Sequence, residues 1–166
     1  MKVTYLFTIV AFLLICVVGN SQSNGSTDKW SHGIRIDKAY RFANNGEWSQ
    51  LGISYTGVKR IDSSYGFLVT SGYLRWKDSD MTSVNANLGA YYRLVVLGAA
   101  DLVAFGSGGA VAVVGNDYGS IFAIVESGIQ FLPMQKSISA ALSWKQSLAF
   151  HPDHFSYLNA SVGYMF

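Results

Sequence analysis

The chain has few charged residues for a folded domain of its size. Lysine, arginine, aspartate and glutamate make up 13% of its 166 residues, whereas soluble domains contain about 25%. Half of the residues are apolar, so a soluble fold would have little charge with which to cover its surface. The composition therefore indicates that something other than water faces much of the protein.

Proline, cysteine and clustered basic residues are also scarce. The formal net charge is +2, and without a basic run this argues against nucleic-acid binding. The single cysteine, Cys16, lies in an N-terminal apolar segment, so the rest of the chain has no thiol for a disulfide, a thiolate metal site or a cysteine nucleophile. With only 2 prolines, the 17 glycines, 10 tyrosines, 10 phenylalanines and 4 tryptophans favour β-structure.

The first 21 residues have the pattern of a secretory signal peptide. A lysine at position 2 precedes an uncharged apolar segment, 5–18, and small residues follow at Gly19 and Ser21. As a helix this segment would span about 21 Å, less than the bilayer core of roughly 30 Å, which disfavours an uncleaved anchor. We expect cleavage after Ser21, or alternatively after Gly19. Residues 22–29 then form a short polar segment, and 30–166 form the folded domain.

After position 30 the sequence alternates between apolar residues and polar or small ones. Clusters of glycine, asparagine, aspartate, serine or proline interrupt this alternation, which is the pattern of β-strands separated by turns. One face of each strand is apolar with aromatic residues near its ends, and the other is mainly serine, asparagine, glycine and glutamine. The eight predicted strands are 30–42, 47–60, 65–77, 82–94, 102–114, 120–132, 136–148 and 154–166.

The polar faces carry too few charges for a water-exposed surface, which indicates an enclosed interior. A transmembrane β-barrel has this arrangement, with apolar side chains towards lipid and polar ones inside. Its sheet must close, because free strand edges in lipid would leave hydrogen-bonding groups unsatisfied. The sequence therefore predicts an all-β fold, an eight-stranded antiparallel up-and-down transmembrane β-barrel. We expect outward loops at 43–46, 77–81, 115–119 and 149–153, and turns at the opposite end at 61–64, 95–101 and 133–135.

Five charged residues fall on inward-facing positions in this register. An eight-stranded barrel has an interior that side chains fill. We therefore expect a buried structural network in preference to an ion path or a catalytic group. These residues are Arg35, Asp37, Arg93, Glu126 and Lys145.

Residues 94–114 are nearly continuously apolar and leave a second fold open. The segment is long enough for a membrane helix, which would make the chain a helical inner-membrane protein. Against this, Asp101 near its centre would cost about 2.5 to 3.5 kcal/mol, and glycines interrupt the segment. We favour a strand, with 94–100 as a strand end and turn whose register is open.

Three short segments resemble the small outer-membrane barrels of the OmpX/Ail/Lom type and the wider group that includes the OmpA membrane domain. Segments 127–131 and 137–144 resemble the penultimate hairpin of this family, and 161–166 resembles its closing strand with a terminal phenylalanine. The resemblance implies a monomer in the bacterial outer membrane, in contact with membrane lipids and lipopolysaccharide. It also implies that the assembly machinery recognises the apolar face of the last strand, formed by Leu158, Ala160, Val162, Tyr164 and Phe166.

The same resemblance raises two possible functions. The predicted loops are shorter than those of adhesin members, which favours a structural or envelope-integrity role, or a surface interaction, over adhesion. Some small barrels are lipid A hydrolases with a His-x-Ser pair, and His154 and Ser156 match that pair. No acidic residue follows Ser156, so Asp153 or Glu126 would have to orient the histidine. We therefore expect no enzyme activity and keep the hydrolase as the alternative.

A metal site or cofactor has weak support. His151 and His154 flank a short segment that contains Asp153, and His32 is the third histidine of the chain. Such a loop cluster is more typical of a solvated headgroup region than of a metal centre. We expect neither a metal nor a cofactor.

Overall fold

The computed structural model describes residues 30–42, 46–77, 80–115, 119–148 and 156–166. The expected signal peptide, the polar segment 22–29 and the residues His151, Asp153 and His154 lie outside these ranges. The described strands are β1 (Trp30–Arg41), β2 (Glu47–Trp48), β3 (Gly52–Arg60), β4 (Tyr65–Arg75), β5 (Thr82–Leu97), β6 (Ala100–Val114), β7 (Gly119–Pro133), β8 (Ser137–Ser147) and β9 (Ser156–Met165).

The strands form one closed antiparallel sheet. Each strand from β3 to β8 pairs with the next along the chain, and β1 pairs with both β3 and β9, which closes the barrel. The short strand β2 pairs with the end of β1 that β3 does not reach, so β2 and β3 together occupy one position in the barrel wall. Counting β2 and β3 as one strand of the wall, the barrel is eight-stranded, which confirms the predicted fold.

A β-bulge separates β2 from β3, a feature that the sequence analysis did not predict. Residues 49–51 stand opposite only residues 38–39 of β1. The Ser49 N–H donates to the Ala39 carbonyl at 2.8 Å, and the Ala39 N–H donates to Ser49 Oγ at 2.9 Å. The serine hydroxyl therefore accepts a hydrogen bond that the interrupted ladder would otherwise lack.

The two faces of the wall follow the predicted alternation, because successive side chains of a strand point to opposite sides. On β5, for example, Asn85 and Asn87 are buried inside the barrel, whereas the next residue, Leu88, is 63% exposed on the outside. Apolar side chains thus cover the outer wall and polar ones much of the interior.

Aromatic side chains gather on the outside at both ends of the barrel. Near the loops, the Tyr40 ring lies 5.0 Å from that of Phe42 and 4.9 Å from that of Trp48, and the Phe42 ring lies 5.1 Å from that of Trp144. We call these four residues the loop-end girdle. Such girdles are typical of transmembrane barrels at the membrane interface. Exposed aromatics near the turns are Tyr65, Phe67, Tyr92, Tyr164 and Phe166.

The apolar segment 94–114 lies in a β-hairpin, so the helical alternative is wrong. Strand β5 extends to Leu97 and β6 begins at Ala100, so the turn has two residues, not the longer span expected at 95–101. Gly98 has a φ of +62°, which suits glycine at the first position of a tight hairpin turn. A register shift between Arg93 and Val95 marks a second bulge. Within the described ranges, no helix is long and apolar enough to cross a membrane.

Candidate functional site

Two apolar layers fill the ends of the barrel interior, and polar residues lie between them. We call the layers the loop-end layer and the turn-end layer, and the residues between them the polar belt. The loop-end layer comprises Ala39, Leu74, Trp76, Val111, Val113, Ile124 and Tyr157. The turn-end layer comprises Val58, Leu68, Tyr91, Val103, Phe105, Leu132 and Met165. The polar belt comprises Arg35, Asp37, Thr70, Asn85, Asn87, Glu126, Ser143, Lys145 and Asn159.

Glu126 on β7 has three partners, which lie on two other strands, β5 and β8. It stands opposite Lys145 in the β7–β8 ladder, and Glu126 Oε1 lies 3.5 Å from Lys145 Nζ. The Ser143 hydroxyl donates to Oε1 at 2.7 Å, and Asn87 Nδ2 donates to Oε2 at 2.9 Å. A buried charge is tolerated when it is both paired and hydrogen-bonded. The carboxylate of Glu126 meets both conditions and connects β5, β7 and β8 inside the barrel.

The rest of the belt continues this network. Lys145 Nζ lies 3.5 Å from Asn85 Oδ1, and Asn159 Nδ2 donates to Asp37 Oδ1 at 3.1 Å. Arg35 is 5% exposed and Asp37 is 3% exposed. The belt thus holds two cations and two anions, so its formal charge is balanced.

Arg93, expected with these charges, lies in a separate cluster at the turn end. Arg93 Nη1 is 3.8 Å from Asp101 Oδ1, and Arg60 Nη2 is 3.2 Å from Asp101 Oδ2. Tyr91 of the turn-end layer lies two residues before Arg93 on the inward face of β5, between Arg93 and the belt. The structure therefore brings together four of the five predicted interior charges and places the fifth elsewhere.

The sequence analysis missed Asp101 and Arg60 because it assigned Asp101 to a turn. Asp101 is a strand residue and is 3% exposed. The available signal was one carboxylate within a long apolar segment, together with an arginine at or next to the end of the predicted strands 47–60 and 82–94.

A further ion pair lies near the loops. Arg41 Nη2 donates to Glu47 Oε2 at 2.5 Å, and the guanidinium carbon of Arg41 lies 5.6 Å from the Trp76 ring centroid. Glu47 is 5% exposed. This pair joins β1 to β2 directly beside the loop-end layer.

Ser156, the possible nucleophile, is the first residue of β9 and stands opposite Gln146. The alternation that buries Tyr157 inside the barrel turns Ser156 to the outside. Glu126 faces the interior, whereas Ser156 faces the outside, so the two side chains lie on opposite faces of the wall. His154 and Asp153 lie outside the described residues. Among the residues that are described, no group of three metal-binding side chains is present.

The apolar residues of the last strand form part of the outer wall. Leu158, Val162, Tyr164 and Phe166 are between 36% and 58% exposed, and Ala160 is also exposed. They flank the seam at which β9 pairs with β1.

No protein-family model matches the chain, and no curated protein matches its sequence. Several solved structures match its fold. The outer membrane enzyme PagL has a TM-score of 0.59 at 11% identity, over 80% of this chain and 98% of that chain. Neisserial surface protein A has a TM-score of 0.56 at 12% identity, over 86% of this chain and 98% of that chain. Ail of Yersinia pestis in a nanodisc has a TM-score of 0.54 at 13% identity, over 83% of this chain and 100% of that chain. The closed barrel and these neighbours together show that the chain has the fold of the small eight-stranded outer-membrane β-barrels.

Proposed function

We propose that the protein is a non-conducting outer-membrane barrel with a structural role in the envelope or an interaction role at the cell surface. The observation that carries this proposal is the filled interior. Trp76 and Tyr157 in the loop-end layer are fully buried, and Phe105 in the turn-end layer is 7% exposed. Between these layers Glu126 is paired with Lys145, and Asp37 accepts a hydrogen bond from Asn159. An ion entering the lumen would therefore have to displace side chains at three levels.

Conductance measurements test this proposal. The refolded barrel, inserted into a planar bilayer at neutral pH, is expected to give no discrete current steps, because both apolar layers exclude hydrated ions. A large porin inserted into the same bilayers is the control for detection. Regular steps that scale with salt concentration would contradict the proposal.

The proposed location includes export through a signal peptide that is cleaved after Ser21. The described barrel supports the location by its apolar outer wall and its aromatic girdles. We propose a monomer in contact with outer-membrane lipids, assembled by machinery that recognises the outer face of β9. N-terminal sequencing of the protein from purified outer membranes is expected to begin at Gln22. Recovery in the inner-membrane fraction with an intact N-terminus would overturn this location.

The lipid A hydrolase remains a second candidate because Ser156 faces the lipid side of the wall. The hydrolase has less support than the structural role, because it needs a carboxylate to orient the histidine. The exposed carboxylates of the described strands and turns lie on connections other than the one before β9. Asp62 is at the turn end, and Asp80 accepts a hydrogen bond from Arg75 at the β4–β5 loop.

Mass spectra of lipid A provide the test of this second candidate. Cells that express the wild type, a Ser156→Ala variant or no barrel are expected to have the same acyl chain number. Loss of an acyl chain in wild-type cells, restored by Ser156→Ala, would establish the hydrolase in place of our prediction.

A further inference from the structure

Lys38 places a positive charge on the outer wall of the barrel. The inward residues Asp37 and Ala39 are buried, so the alternation of β1 turns Lys38 outward. The other outward charges of the described strands, Lys59 and Arg75, lie within the last two residues of their strands. A lysine on the lipid face is strongly destabilising at the bilayer midplane and costs little at the interface. The ammonium of Lys38 therefore needs an interfacial position or an anionic partner.

The side chain of Lys38 extends towards the loop-end girdle. Its Nζ donates to the Ser49 carbonyl at 2.5 Å and lies 6.0 Å from the centroid of the Trp48 ring. The bulge at Ser49 turns this carbonyl towards the lysine. Because an ammonium has three donors, two remain for another acceptor at the level of the girdle.

An apolar groove lies on the outer wall beside Lys38. Ala160 stands between Leu142 on β8 and Lys38 on β1, and Ala140 stands opposite Val162. These two alanines leave a depression between larger side chains, including Ile36, with a volume of about 730 Å³. Ligand sites for small molecules occupy roughly 300 to 1,000 Å³, so the groove is large enough to hold a lipid chain.

We propose that this groove binds an acyl chain of lipid A and that Lys38 donates hydrogen bonds to one of the lipid A phosphates. The inference rests on the proposed outer-membrane location. In transmembrane barrels the longer connections are extracellular, and the connection between β8 and β9 is longer than the two-residue turn between β5 and β6. The ammonium of Lys38 therefore lies towards the outer leaflet, where lipid A is the phosphorylated lipid. The groove supplies apolar contact and Lys38 supplies the charge that complements a phosphate.

Native mass spectrometry of the refolded barrel in detergent tests the site with three probes: lipid A, dephosphorylated lipid A and phosphatidylglycerol. We expect the wild type to retain lipid A about tenfold better than the dephosphorylated form, corresponding to one charge-assisted contact. Lys38→Met is expected to remove this preference. Ala160→Leu fills the groove and is expected to weaken retention of both forms of lipid A. Ala86→Leu, an outward alanine on β5, is the matched control and is expected to leave retention unchanged.

Equal retention of lipid A and its dephosphorylated form by the wild type would overturn the proposal, as would an unchanged preference in Lys38→Met. Retention of phosphatidylglycerol as strong as that of lipid A would also overturn it, since the site would then not select lipid A. Heat-modifiable gel mobility shows whether each variant is a folded barrel. A folded barrel without lipid A selectivity contradicts the site alone, whereas recovery in the inner membrane contradicts the location on which it rests.

Discussion

Replacement of Gly163 with alanine is expected to prevent most of the chain from forming a closed barrel. Gly163 faces the interior on β9, opposite Arg35 of β1, at the seam between the first and last strands. A Cβ atom at this position would lie 2.1 Å from the Ile34 carbonyl oxygen and 2.5 Å from Arg35 Cα. Both are backbone atoms, so the strands would have to separate. Overpacking a core costs typically about 1 to 3 kcal/mol, and displacement of the backbone adds to this.

The fraction of heat-modifiable protein after refolding in detergent measures this effect, and the urea midpoint measures the stability of the part that folds. Gly106→Ala on β6 is the matched control, because a Cβ atom there would have no neighbour within 4 Å. Gly106→Ala is expected to refold like the wild type. Equal yields from both variants would show that close approach at the seam does not limit barrel closure.

Replacement of Glu126 with leucine is expected to be the most destabilising change in the polar belt. It removes the carboxylate that faces Lys145 Nζ at 3.5 Å and accepts hydrogen bonds from Ser143 and Asn87. The lysine is then left buried without its partner, and this type of change costs about 3 to 5 kcal/mol. Urea unfolding of the refolded barrel, followed by tryptophan fluorescence, gives the change in the free energy of unfolding.

The double variant Glu126→Leu/Lys145→Met separates the loss of the pair from the loss of the carboxylate alone. Replacing both members of a buried pair with apolar residues is often neutral, so the double variant is expected to be more stable than Glu126→Leu. A cycle that includes Lys145→Met gives the interaction energy directly. Additive effects of the two substitutions would show that the pair is not coupled.

The strands and their faces could be predicted from the sequence because a strand has a period of two. On β5, the alternation of Asn85 and Asn87 with apolar neighbours predicts which side chains face inward, and the structure has them buried. The even number of such segments and the need to satisfy edge hydrogen bonds in lipid then favour a closed barrel.

The bulges could not be predicted in the same way. At Ser49 and near Arg93 one additional residue enters a strand, and a single polar residue among alternating neighbours does not identify that position. The bulge near Arg93 lies beside a two-residue turn, so Asp101 falls within β6 and inside the barrel. Its ion pairs with Arg60 and Arg93 depend on this register.

The sequence alone determined the class of the fold, because few charges combined with period-two alternation suit a wall with lipid on one side and an enclosed interior on the other. Only the tertiary structure decided which inward charges meet. The register and curvature of the sheet bring Glu126 on β7 close to Asn87 on β5 and separate Arg93 from the belt. Closure of the sheet places Lys38 of β1 beside the groove over Ala160 of β9. These contacts join residues that are distant in the chain, and their register depends on bulges and barrel closure, which local periodicity does not encode.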